Sequence, residues 1–229
     1  MRRASLPLWL VPLTIGCTLL VAAHLAWWLS IRGGYIEACN PYWHGCTSIS
    51  RAARHGLGNY LFRLLMLPNA LLLAIHWWLC RHWLRGTGGE RDAAGARLLA
   101  IGLVSAHALA VYVAFLGTQG HVYAFMRSYG VVLYFGFGYL AQLVFVYLAG
   151  KRGRLPPGMT LAMKALCGLM LALGLFKLGC DLLVDDEQAK DRIADAVEWQ
   201  LGLLLAGWYL LQAWAWRGER VSLEFAGRD

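Results

Sequence analysis

Charge is scarce in this chain. Lys, Arg, Asp and Glu make up 15% of its 229 residues, whereas 59% are hydrophobic. Soluble domains carry about 25% charged and about 45–50% apolar residues, so the shortage excludes an ordinary soluble fold. Other absences bear on function. The sequence has no Gly-x-Ser-x-Gly elbow, no His-x4-Asp acyltransferase box and no Cys-x-x-Cys redox pair. It has no clear internal repeat and no low-complexity tract. Cys39, His44, Cys46 and His55 lack a recognisable zinc-ligand spacing, and no metal or cofactor is expected. The formal net charge of +8 comes without a basic stripe interleaved with exposed aromatics, which argues against a nucleic-acid partner.

What is present is a series of apolar runs: Leu8–Ser30, Gly58–Leu79, Leu98–Leu116, Val122–Ala149, Met159–Cys180 and Ala194–Trp216. A helix needs about 20 residues to cross the hydrocarbon core. Lipid offers no partner for open backbone groups, so each run is expected to be helical. The first run, behind Arg2 and Arg3, exceeds the roughly 7–15 apolar residues of a signal peptide and reads as a retained helix. The predicted fold is an all-α integral membrane bundle of six transmembrane helices, one domain over residues 1–229.

Loop charge gives the orientation. Arg2, Arg3, Arg81, Arg85, Arg91, Arg97, Lys151, Arg152, Arg154, Arg217, Arg220 and Arg228 collect on one side. Arg32, Arg51, Arg54, Lys190 and Arg192 fall on the other, with most of the acidic residues. The richer side is expected to be cytoplasmic, with both termini. Residues 31–57, 117–121 and the acidic 181–195 stretch then lie outside.

Ionisable groups within a bilayer are costly and mark cavities or pathways. His24, Arg63, Arg127, Lys177 and Glu198 fall in the outer half, and His107 near the middle of its helix. The inner half holds only Lys164 and His76. Convergence of the outer set predicts an outward-facing polar cavity, in which Arg51, Arg54, Arg63, Arg127, Lys177 and His24 bind an anionic lipid headgroup. Lys177 and Asp181, four apart, share a helix face and also read as a structural pair. The first outer loop adds Ser48, Ser50 and His55; either serine also reads as a cap for a short helix. Cys39 and Cys46 lie on the oxidising side and are a candidate disulfide. Cys17, Cys80, Cys167 and Cys180 read as small packing residues.

Three segments carry a family likeness: Asn40-Pro41-Tyr42 leading to Ser48-Ile49-Ser50-Arg51, the histidine of Ser105-Ala106-His107, and Ala196-Val197-Glu198-Trp199. On these the chain resembles the Frag1/DRAM/Sfk1 family of six-helix membrane proteins. Trp43-His44-Gly45 and the cysteine-flanked loop depart from the eukaryotic pattern. The resemblance implies a membrane-lipid partner and, for some members, fatty-acid remodelling of lipid anchors. The catalytic candidates are then His107 or His55 as general base, Ser50 as nucleophile, and Glu198. Compact loops and outer cysteines fit a bacterial inner-membrane member. Two alternatives stay open: a non-enzymatic scaffold or small transporter, and a redox protein holding haem between His24 and His107.

Overall fold

A computed structural model describes residues 3–85 and 92–224 of the chain. Arg2, Arg91 and Arg228, part of the expected cytoplasmic charge, lie outside the described residues. The described residues form helices α1 (Leu10–Arg32), α2 (Pro41–His44), α3 (Ile49–Ala52), α4 (Gly56–Arg85), α5 (Ala93–Ala114), α6 (His121–Lys151), α7 (Pro157–Leu183) and α8 (Glu187–Ala215). Two short strands, β1 (Arg3–Pro7) and β2 (Arg220–Glu224), flank them.

Five helices, α1, α4, α5, α6 and α7, are long and apolar enough to cross a membrane, with mean hydropathies of 1.4 to 1.9. This is the architecture of a multi-pass membrane protein. Helix α8 is equally long, but its first turns carry Glu187, Lys190, Asp191, Arg192, Asp195 and Glu198. It nonetheless belongs to the bundle. Helix α1 packs on α4, α4 on α5, α5 on α6, α6 on α7, α7 on α8, and α8 back on α1, which closes a ring.

Small residues set the close crossings. Gly16 abuts Ala206 and Leu210 where α1 meets α8, and Gly130 abuts the Tyr112 backbone where α6 meets α5. Gly102 lies against the Trp77 indole between α5 and α4.

Several boundaries differ from the sequence expectation. The acidic 181–195 stretch is helical on both sides, leaving only residues 184–186 between α7 and α8. Local chemistry explains it. Asp186 caps α8 by accepting from the Gln188 N–H at 2.9 Å, and Lys190 pairs with Glu187 at 2.7 Å. The chain is all-helical as expected, apart from β1 and β2, which pair antiparallel with Leu6 opposite Val221. This sheet ties the two chain ends together at one end of the bundle, hereafter the terminus face; residues 33–55 cover the other end, the loop face.

At the terminus face, arginines from the α6–α7 turn satisfy carbonyls that α4 leaves open at its C-terminus. Arg152 donates to Leu84 O at 3.0 Å and Arg154 to Trp83 O at 3.1 Å. Arg152 also pairs with Asp92 at 2.8 Å, and Asp92 caps α5 by accepting from the Gly95 N–H at 3.0 Å. Burial pushes the Asp92 carboxyl up, but the Arg152 and Gly95 hydrogen bonds and the Arg152 and Arg81 charges outweigh it and hold it below its usual value.

The core near this face is dense in aromatics. Trp77, Trp208, Trp216 and Phe145 are fully enclosed. Besides the expected His76, this half buries the amides Gln142 and Gln212, with Asn69 towards mid-depth. His76 stands among the Trp77, Tyr209 and Trp216 rings. Its Nε2 lies 3.4 Å from Cys80 Sγ, which the Gln212 amide also reaches at 3.4 Å.

Candidate functional site

The loop-face half of the ring encloses a crevice with about 50 Å³ of space for water-sized spheres, several times what one water needs. Its deep walls are apolar: Leu19, Met66, Leu109, Phe135 and Leu205. Most of its polar groups gather towards the loop face: His24, Tyr42, Tyr112 and Glu198, beside the Trp199 indole, while the Tyr134 phenol lies deeper, next to Phe135. The crevice is therefore more polar towards the loop face than at depth.

Residues 33–55 form its roof. The Asn40 side chain accepts from the Tyr42 N–H at 3.1 Å, which starts the single-turn α2, and Cys39 and Cys46 form a disulfide around that turn. Ser48 caps α3 through the Arg51 N–H at 3.1 Å. Helix α8 holds this roof by side chain. Trp199 Nε1 donates to Thr47 O at 2.8 Å and Gln200 Nε2 to Tyr42 O at 3.0 Å. Glu198 accepts from the Ser50 N–H at 3.2 Å, and Asp195 pairs with Arg51 at 3.0 Å. From α1, Ser30 donates to Ala52 O at 2.6 Å.

Inside the roof, Tyr42 reaches His24. The His24 Nδ1 lies 2.7 Å from Leu20 O, which can only accept, so Nδ1 carries the proton. Nε2 then offers a lone pair to the Tyr42 hydroxyl at 2.9 Å. Burial raises the Tyr42 pKa, so the phenol stays neutral and donates. The Trp199 ring completes the wall, its centroid 5.6 Å from His24 and 5.5 Å from Tyr42.

Outside the crevice mouth, Arg51, Arg54 and Arg127 stand close enough to sense one another's charge. Desolvation, then Arg127 and Arg51, lower the Arg54 pKa below the usual guanidinium value. Arg127 is partly committed, because it caps α5 by donating to Phe115 O and Thr118 O. Arg51 is tied to Asp195.

The structure thus gathers His24, Ser50, Arg51, Arg54, Arg127 and Glu198 around the crevice and its mouth. It does not gather the rest. His107 is exposed on α5, in a groove with Phe125, Met126 and Tyr129 rather than in the crevice. His55 stacks on Tyr35 at 5.2 Å and is exposed. Ser50 therefore has neither expected base: its hydroxyl meets Ser48 Oγ at 3.2 Å. His24 and His107 line different cavities, so they do not form the facing pair that haem requires. Lys177 pairs with Asp181 on α7, away from the crevice walls. Arg63 is half-buried on α4 and is not a crevice-lining residue.

Tyr42, Tyr112, Asp195 and Trp199 were absent from the sequence candidates. Asp195 carried a usable signal, since it lies three residues before Glu198 and shares its helix face. No family model matches the chain, and no curated protein or solved structure matches it either.

Proposed function

We propose that this chain is a six-span membrane protein that binds a membrane lipid, with the headgroup-proximal part of the apolar tail in the crevice and the phosphate at the Arg51–Arg54–Arg127 rim. The observation that carries this reading is the crevice itself, mostly apolar at depth, with Tyr134 the exception, and polar towards its mouth. Clustered guanidiniums repel one another, and an anion between them relieves that repulsion. Arg54 is the least committed of the three and would be the principal phosphate ligand.

Two observations support the span count and orientation. Helix α8 completes the ring, and the β1–β2 pairing brings residues 3–7 and 220–224 to one face, in keeping with an even number of crossings. The cationic Arg81, Arg85, Lys151, Arg152 and Arg154 belong to that face, which favours a cytoplasmic placement for it. The crevice then opens towards the outer leaflet, in the disulfide-compatible compartment. The likeness to the Frag1/DRAM/Sfk1 family agrees with a lipid ligand. Because neither His107 nor His55 stands beside Ser50, the proposal is binding and presentation of the lipid, without hydrolysis.

Gly202 provides the test. It lines the crevice, and a Cβ there would lie 3.0 Å from Ile49 Cδ1, so a larger side chain would fill the space. Gly202→Phe should abolish retention of phospholipid by the purified protein, read by native mass spectrometry. Gly207→Phe, on the same helix where a Cβ meets open space, should leave retention unchanged. Equal retention by both variants would refute the reading.

A further inference from the structure

The acidic group inside the crevice is not explained by an anionic ligand. Glu198 is held by the Ser50 N–H, and among the described residues no Lys, Arg or His forms an ion pair with it. The nearby Arg51 is engaged with Asp195 instead. A carboxylate facing an apolar crevice without a counter-ion is costly in a bilayer. What surrounds it is suited to a cation. The Trp199, Tyr42 and His24 rings stand 5.5 to 6.0 Å apart on the same wall, and aromatic faces attract ammonium groups. Tyr42 spends its hydroxyl proton on His24, so its oxygen lone pairs remain available to an N–H donor.

Resting on the lipid reading above, we infer that the ligand is zwitterionic: its ammonium group sits between Glu198 and the Tyr42–Trp199 wall, and its phosphate sits outside at Arg54. The two charges of one headgroup match the two charges of the site, guanidinium at the rim and carboxylate within, with the ethanolamine folded back from the phosphate towards Glu198. A purely anionic lipid satisfies the rim and leaves Glu198 uncompensated. An aminophospholipid such as phosphatidylethanolamine satisfies both.

The experiment compares phosphatidylethanolamine with phosphatidylglycerol of identical chains, binding to purified wild type and to Glu198→Gln. Gln keeps the acceptor for the Ser50 N–H and removes only the charge. Wild type should prefer the ethanolamine lipid by about tenfold or more, the scale of a desolvated cation–aromatic and charge-assisted contact. Glu198→Gln should remove the preference, lowering phosphatidylethanolamine affinity without lowering that of phosphatidylglycerol. Equal wild-type affinities, or a variant that weakens both lipids alike, would overturn the ammonium site and leave the lipid reading standing. Binding of neither lipid would overturn the lipid reading and this inference with it. Soluble glycerophosphoethanolamine binding as tightly as the lipid would keep the ammonium site and remove the tail from the reading. The wild-type comparison needs no variant, so it decides even if Glu198→Gln does not fold.

Discussion

Gly45→Ala should lift the roof from the crevice. Gly45 has φ +56° and lies so close to the Arg192 carbonyl of α8 that an added Cβ would overlap that oxygen. Two costs result. The left-handed backbone costs an alanine about 1–2 kcal/mol, and the clash adds about 1–3 kcal/mol because a helix backbone cannot rotate aside. Against this stand the links from α8 to the roof: Trp199 to Thr47, Gln200 to Tyr42, Glu198 to Ser50 and Arg51 to Asp195. At about 0.5–1.5 kcal/mol net each, together they are of comparable size to the perturbation. The roof should therefore open often while the helical ring stays intact. Gly34→Ala is the control, since Gly34 has φ +71° but open space where its Cβ would go. Amide exchange of residues 41–52 in detergent reads the opening, at about tenfold per 1.4 kcal/mol. Gly34→Ala should raise it by about tenfold or less, and Gly45→Ala by roughly a hundredfold, with the ring amides unaffected in both. Equal exchange in the two variants would show that the roof does not bear on α8 at Arg192, and the account of the crevice mouth would fall with it.

Two further outcomes probe the opposite face and the core. The depressed Asp92 carboxyl stabilises the fold fully above its unfolded pKa of about 4, and that contribution is lost as pH falls through its lower folded value. The gap in melting temperature between wild type and Asp92→Asn should thus shrink below about pH 4; a gap constant with pH would count against it. Gln142 is fully buried, and neither amide atom meets a partner at good hydrogen-bond geometry among the described residues, although the Tyr209 hydroxyl stands close to it. Gln142→Leu should then be neutral or stabilising within about 1 kcal/mol, and a loss above about 2 kcal/mol would show that the amide is engaged.

The apolar runs were legible because a 20-residue hydrophobic stretch has few other fates. Their ends were less so. Helix α4 runs to Arg85 because Arg152 and Arg154, far away in sequence, satisfy its last carbonyls. At the site, Glu198 and His24 were legible from the cost of a polar group at that depth. The facing of a residue on its helix was not: His107 has much the same sequence context as a buried histidine, yet it lies on the exposed side of α5. Tyr42 and Trp199 went unread for a related reason. Aromatics are plentiful at membrane interfaces, and only the folded roof shows that these two meet His24.

The six-span reading leaves α8 in a dependent position. Its first turns carry Asp195, Glu198 and Gln200, and farther along it buries Gln212, so on its own it is the least suited of the long helices to enter lipid. What makes its place tenable is the roof. Arg51 neutralises Asp195, and the loop backbone gives Glu198 a donor and Gln200 an acceptor. The same contacts that reconcile α8 with the membrane also build the mouth of the crevice. Docking of α8 and the shape of the site are therefore set by one group of interactions. On the lipid reading, substitutions that release the roof should weaken ligand binding and the docking of α8 together.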